Sequence, residues 1–263
     1  MMTLDEYVVK GAELKNSLSL QRLVGLKFCK SIDEIPPKAR RPLRDFKYHM
    51  SICQAINQAR TVGFTIGLDL EDNFCLAGAS VFGLTKFAYS FYPQHVRDQE
   101  AARNVDAIFR ERDDLLTKGI YKAIVVSPFD RLQIEPDIIL AYGTPGQVGR
   151  IGKSFTWYGD TVSALYFGGL GCSAIVLAFV QQKPIMCIPA GGEKIFAGTN
   201  DNEMSIVFPA ARLDDVLVGF KGTQRMLPFP TVCTTLMNEP SVPEDYHITY
   251  RELSRSSSSV DIK

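Results

Sequence analysis

Apolar residues fall along the chain in short, nearly unbroken runs of four or five, at residues 24–28, 64–68, 123–126, 138–142, 185–188 and 205–208. Runs of this length predict strands covered on both faces. Between them lie segments with helical spacing. Each half of the chain therefore reads strand, helix, strand, short helix, strand. That alternation predicts an α/β fold of two βαβ-type halves, with a mostly parallel sheet flanked by helices.

The two halves also resemble each other. Residues 53–59 (CQAINQA) align with residues 172–178 (CSAIVLA), with four identities in seven. An apolar run follows in each, then Ala77-Gly78 and Ala197-Gly198, then residues 124–128 and 205–209, both ending in proline. Arg131-Leu132 and Arg212-Leu213 close the two series. Matches in one common order predict an internal duplication. The expected organisation is an N-terminal helical segment (residues 1–22), a first half (23–135), a second half (136–228) and a C-terminal extension (229–263). The first half carries an insertion at about residues 84–119, with an aromatic stretch (Phe87, Tyr89, Phe91, Tyr92) and an amphipathic helix using Val105, Ile108, Leu115 and Leu116. It could cap a pocket, form a subunit contact or simply pack on the core. The polar tail from Pro240, with its serine run, cannot bury enough apolar area to order itself.

Residues 162–180 form an uncharged stretch of 19, long enough for a membrane span. Gly168, Gly169 and Gly171 interrupt it, so a buried core helix is expected. Residues 1–15 mix acids and bases, so no signal peptide is predicted. Composition changes little in this picture. Of 263 residues, 46% are hydrophobic and 22% charged, a globular composition. Lys+Arg and Asp+Glu number 29 each, so no positive field favours nucleic acid. Six cysteines in a chain this long suit reduced thiols in a cytoplasm better than a secreted disulfide framework.

Three of those cysteines occupy places where chemistry is plausible. Cys172 follows a glycine-rich turn and opens a helical run. Cys53 takes the matching place by the repeat, and Cys75 follows Asp72, a good N-cap, into another first turn. Helix N-termini stabilise thiolates and lower their pKa. A pseudo-two-fold arrangement would bring Cys53 and Cys172 together with Cys75 on the neighbouring turn. Three thiolates could then hold an iron–sulfur cluster or another soft metal with one position open. Buried cysteine also serves simply as a small hydrophobe, the role expected of Cys29, Cys187 and Cys233. His49, four residues before Cys53, would share its helical face as a ligand or acid–base group. Asp72 and Glu203 could act as general acid and base, or as caps. Two glycine-rich strand ends are candidate substrate sites, Gly146-Gln147 and Gly191-Gly192 with Lys194, together with Gln54. Neither matches a nucleotide-binding motif, so no nucleotide cofactor is supported.

Cys53-Gln54-Ala55, the stretch from Asp72 to Cys75 with Gly78, Pro136-Asp137 and Pro145-Gly146-Gln147 together resemble the uncharacterised ArCR family, domain of unknown function 169. Asp201-Asn202-Glu203-Met204 followed by Pro209 fits the same pattern. The resemblance covers about residues 23–222. It implies a cytoplasmic protein of anaerobic metabolism, with recurring cysteines at positions like Cys53 and Cys75. A Cys-x-Gly-x-Arg-like element of the family falls near residues 190–194, where this chain has Ala190 and Lys194. The expected function is a small-molecule enzyme or redox protein with a thiolate-held cluster or metal between its halves. The alternatives are a metal-free module for an organic acid or acyl group, or a subunit of a larger enzyme. A homo-oligomer or enzyme complex is expected, with neither nucleic acid nor membrane as partner.

Overall fold

The computed structural model describes residues 2–85, 120–165, 170–225, 229–230 and 244–257. The side chains named above between Phe87 and Leu116 lie outside the described residues, as does Cys233.

The chain opens with α1 (Leu4–Ser17), started by a capping box between Thr3 and Glu6. The first half continues with β1 (Val24–Cys29), α2 (Ile52–Asn57), β2 (Ile66–Asp69), α3 (Leu76–Val81) and β3 (Ala123–Pro128). A π-helical turn, Gln58–Val62, extends α2 until Gly63 ends it in the left-handed region. The second half holds β4 (Ile138–Gly143), α4 (Pro145–Thr156), β5 (Ser163–Leu165), α5 (Leu170–Gln181) and β6 (Ile185–Cys187). It closes with α6 (Gly191–Ala197), β7 (Met204–Pro209) and α7 (Leu213–Thr223).

Seven strands form one sheet in the order β2-β3-β1-β4-β7-β6-β5. Five of the neighbouring pairs are antiparallel and only β5–β6 is parallel. The expected mostly parallel sheet is therefore wrong, for a specific reason. In the first half α2 connects two strands of the same direction, β1 and β2, and in the second half α4, β5 and α5 lead from β4 to β6, which again share a direction. Those strands are not neighbours. The third strand, β3 or β7, inserts between them and runs the other way, a split βαβ arrangement.

The duplication is carried in this order, which reads β2-β3-β1 and then its mirror, β4-β7-β6. Ile66 and Leu26 both face Val126, while Ile185 and Leu140 both face Val207. Ile66 and Ile185 are thus equivalent, and their separation equals that of Cys53 and Cys172 (119 positions, 66 to 185 and 53 to 172). The Ala-Gly match does not survive. Gly78 lies in the first turn of α3, whereas Gly198 is the left-handed C-cap of α6.

Both faces of the sheet are covered, which accounts for the continuous apolar runs. Val24, Leu26 and Phe28 face a core shared with α2, α3 and α5. Ile139, Ala141, Ile206 and Phe208 face the opposite core, built with α1, α4 and α7. The uncharged stretch 162–180 divides between β5 and α5, and no helix among the described residues is long and apolar enough to cross a membrane. In the C-terminal extension, Glu244–Ser257 is an α-helix. Its described side chains are largely exposed, as its composition requires.

Candidate functional site

The three cysteines meet on the α2/α5 face, where the halves join. Ser51 caps α2, accepting from Gln54 N at 3.1 Å, while Gln54 Oε1 accepts from Ser51 N at 2.9 Å. This places Cys53 in the first turn, and uses Gln54 as a cap rather than toward a ligand. Cys172 takes the matching turn of α5. The Cys172 thiol hydrogen-bonds to Cys53 across the junction. Cys75 is itself the N-cap of α3, its Sγ accepting from Gly78 N at 3.4 Å, so Asp72 is not the cap.

The cover over the sulfurs is crosswise. The α2 helix packs against α6, and α5 against α3, so each of the helices bearing Cys53 and Cys172 is covered by a short helix of the other half. A Cβ on Gly78 would lie 3.5 Å from both Cys172 Sγ and Cys75 Sγ, and one on Gly192 would lie 3.8 Å from Cys53 Sγ. Each paired cysteine therefore has a glycine of the opposite half facing it. Cys75 and Cys172 are no further apart than twice the Gly78 distance.

Glu193 stands behind the pair. Its carboxyl accepts from Ala190 N at 3.0 Å and from Tyr142 Oη at 2.9 Å. A Cβ on Gly171 would come within 2.6 Å of it, so only glycine lets the carboxyl rest on the first turn of α5. Arg60 lies over the Tyr142 ring at 4.7 Å, only 7% exposed, and pairs with Glu203 at 2.7 Å. Glu203 also accepts from Asn200 N, so this ion pair ties the first half to the second.

Burial and the mutual approach of the thiols raise the titrating groups of the site. Cys172 is raised well above the ordinary thiol value, first by its hydrogen bond to Cys53, then by burial, with Cys75 and Glu193 adding repulsion. Cys75 is raised by burial, which outweighs the Gly78 N–H bond. The expected lowering at helix N-termini is overturned at both positions, at Cys172 first by the neighbouring Cys53 and then by burial, at Cys75 by burial. Glu193 is raised by burial despite its hydrogen bonds and Arg60. Cys29 and Cys187, buried in β1 and β6, are pushed up to about 12 by burial, in keeping with packing roles.

The remaining candidates separate. His49 is exposed and lies before the Ser51 cap, so it does not share a helical face with Cys53. Asp72 is buried and ion-paired to Arg41 at 2.5 Å, and it accepts from Leu43 N. Its own carbonyl accepts from Met50 N, beside the α2 cap, and Asn73 Oδ1 accepts from Cys75 N. Asp72 thus holds the Cys53 and Cys75 segments in register. Lys194 is exposed and pairs with Asp201, while Gly191 is exposed at the start of α6. Gly146 and Gln147 open α4 on the other face of the sheet, where Gln147 Nε2 donates to Leu18 O and Ser19 O.

Glu193, Tyr142 and Arg60 escaped sequence reading. Glu193 lies inside a glycine-rich run that does stand out, and Arg60 follows Cys53 at the helical spacing of seven. Nothing local marks Tyr142. Among the described residues, no group of three or more His, Cys, Asp or Glu is arranged to hold a metal ion.

The fold and site define a protein of two fused, related α/β halves with a buried thiol cluster at their junction. Residues 13–219 match the model of the uncharacterised ArCR family, domain of unknown function 169, and the chain belongs to that family. It is 25% identical over 206 residues to the uncharacterized protein MJ0308 of Methanocaldococcus jannaschii, covering 74% of this chain and 84% of that one. No solved structure matches it.

Proposed function

We propose that the protein is a small-molecule enzyme or redox protein whose Cys53, Cys75 and Cys172 hold an iron–sulfur cluster or another soft metal between the halves. One observation supports this reading above the rest. Three sulfurs from three separate helices, distant in sequence, converge beside two glycines, Gly78 and Gly192, whose missing side chains bring the backbone close to them. Three thiolates are soft donors and leave one position for a further ligand. Loading must strip the thiol protons and draw the sulfurs into a coordinating set. A metal or cluster bound there would supply Lewis-acid or one-electron chemistry. Glu193 is the acid beside the thiols, able to take a proton from Cys172 as it ionises. Tyr142 and Ala190 N keep its carboxyl pointed, and Arg60 favours its charged form. Asp72 holds the Cys53 and Cys75 segments together.

Protein purified without oxygen should be coloured and contain iron and sulfide, or another metal, near one centre per chain. Serine at any of the three cysteines should remove it. Colourless, metal-free protein with all three thiols open to alkylation would end this reading.

The Cys53–Cys172 contact itself favours a second one, a dithiol–disulfide couple. Each thiol would give up one proton and one electron to an oxidant such as a small disulfide, which leaves as two thiols. Metal-free protein losing two thiols on such treatment, and regaining them with dithiothreitol, is the expected signature.

A further inference from the structure

The three sulfurs do not stand alike toward one another. Cys172 hydrogen-bonds to Cys53, and Gly78 faces both Cys172 and Cys75, 3.5 Å from each sulfur to where its Cβ would lie. A Cβ on Gly192 would meet Cys53 alone of the three within 4 Å. Cys172 is therefore the neighbour that the other two share, with Cys53 on its α6 side and Cys75 on its α3 side. Exposure follows the same order. Cys53 and Cys75 are half-buried, while Cys172 between them is buried.

Cys75 is also the sulfur with the least to hold it in place. It precedes α3, a helix of only six residues, and its Sγ accepts the Gly78 N–H at 3.4 Å. The flanking Phe74 and Leu76 are 44% and 48% exposed, so the first turn of α3 lies at the surface. Short, exposed turns open at far lower cost than a core helix does. Cys75 can cross the remaining distance to Cys172 by moving this turn, with the buried part of α3 left in place.

We propose that Cys172 is a resolving thiol shared by two partners, so that a disulfide made with Cys53 passes on to Cys75. This inference rests on the dithiol–disulfide reading of the site. The Cys53 thiolate attacks a small disulfide, and one half of it leaves. Cys172 then attacks Cys53 Sγ and displaces the other half, and the two protein protons end on the two departing thiolates. In the relay step the Cys75 thiolate attacks Cys172 Sγ. The Cys75–Cys172 bond forms as the Cys53–Cys172 bond breaks. Cys75 gives its proton to water and Cys53 takes one back, so the transfer consumes no oxidant. The oxidised pair is then held between α3 and α5, and Cys53 is free again.

Disulfide mapping tests the relay. Metal-free protein is treated without oxygen with one equivalent of cystamine, quenched with acid and N-ethylmaleimide, digested, and its linked peptides are identified by mass spectrometry. Wild-type protein should yield both Cys53–Cys172 and Cys75–Cys172. Cys53→Ser should still form Cys75–Cys172, about tenfold more slowly, because burial keeps its remaining entry thiol protonated. Cys75→Ser should hold Cys53–Cys172 alone, and Cys172→Ser should form neither. Cys53–Cys172 as the sole linkage in wild type, with Cys53→Ser staying reduced at an unchanged melting temperature, would overturn the relay and leave the couple standing. Wild-type protein that forms no disulfide would remove the couple itself, and the relay with it.

Discussion

The two cysteine helices hold the same place in a duplicated fold, yet their surroundings differ. On α2, Cys53 is half-buried, and the helix goes on to deliver Arg60 to the junction. On α5, Cys172 is buried in a helix without a single charge. The opposing short helices differ in turn. The third residue of α3 is Gly78, which leaves room beside Cys172, while the third residue of α6 is Glu193, which brings an acid behind it. The two halves share one strand arrangement, while the acid and phenol of Glu193 and Tyr142 come from the second half and the guanidinium of Arg60 from the first. A symmetric scaffold thus carries an asymmetric site, with one accessible thiol and one enclosed thiol.

The largest effect should come from cutting the ion pair that joins the halves. Arg60→Met leaves Glu203 buried and unanswered, and urea unfolding should show a loss of about 3 kcal/mol. Next comes the contrast between the sulfurs. Cys172→Ser places a hydroxyl in an apolar core and should cost about 1–2 kcal/mol, whereas Cys53→Ser should cost below about 0.5 kcal/mol. If the two sulfurs act as one centre, both variants should nevertheless lose bound metal alike. Equal stability losses would show that their environments are not distinct.

Glu193 gives a smaller, pH-dependent signature. Its carboxyl is raised in the folded state above the ordinary value of 4.5. The fold therefore holds that proton more tightly than the unfolded chain does, and stability from this group fades as pH climbs from 4.5 through the folded value. Glu193→Gln should flatten that decline, so the variant gains on wild type toward neutral pH. A parallel decline in both proteins would place the raised acid elsewhere. The finest distinction is kinetic. Iodoacetamide should label Cys53 before Cys172, and labelling of Cys75 should still accelerate above pH 9.0, its ordinary value.

Much of this architecture is legible along the chain. Strand positions follow from the apolar runs, the duplication from CQAINQA and CSAIVLA, and the meeting of Cys53, Cys75 and Cys172 from the two together. The direction of the strands was not legible. A helix between two strands shows that they point the same way, but not that they are neighbours, and here β3 and β7 come between. Unbroken apolar runs reported burial on two faces, which an antiparallel sheet between two helical layers provides equally well. The thiol protonation states were also out of reach. Helix N-termini are visible in sequence, but neither burial, which prevails at Cys75, nor the approach of Cys53, which comes first at Cys172, can be read there.

By itself, then, the order of residues determined where six of the seven strands fall, that the two halves resemble each other, and which sulfurs occupy matching turns, but it missed β5 and the helix Glu244–Ser257. What it determined depends on periodicity and short-range spacing. Tertiary structure alone decided which strands share hydrogen bonds, and that Glu193, Tyr142 and Arg60 surround the thiols. Those outcomes depend on what lies across a junction or on the far side of a sheet, and on the low dielectric created there, which no local pattern encodes.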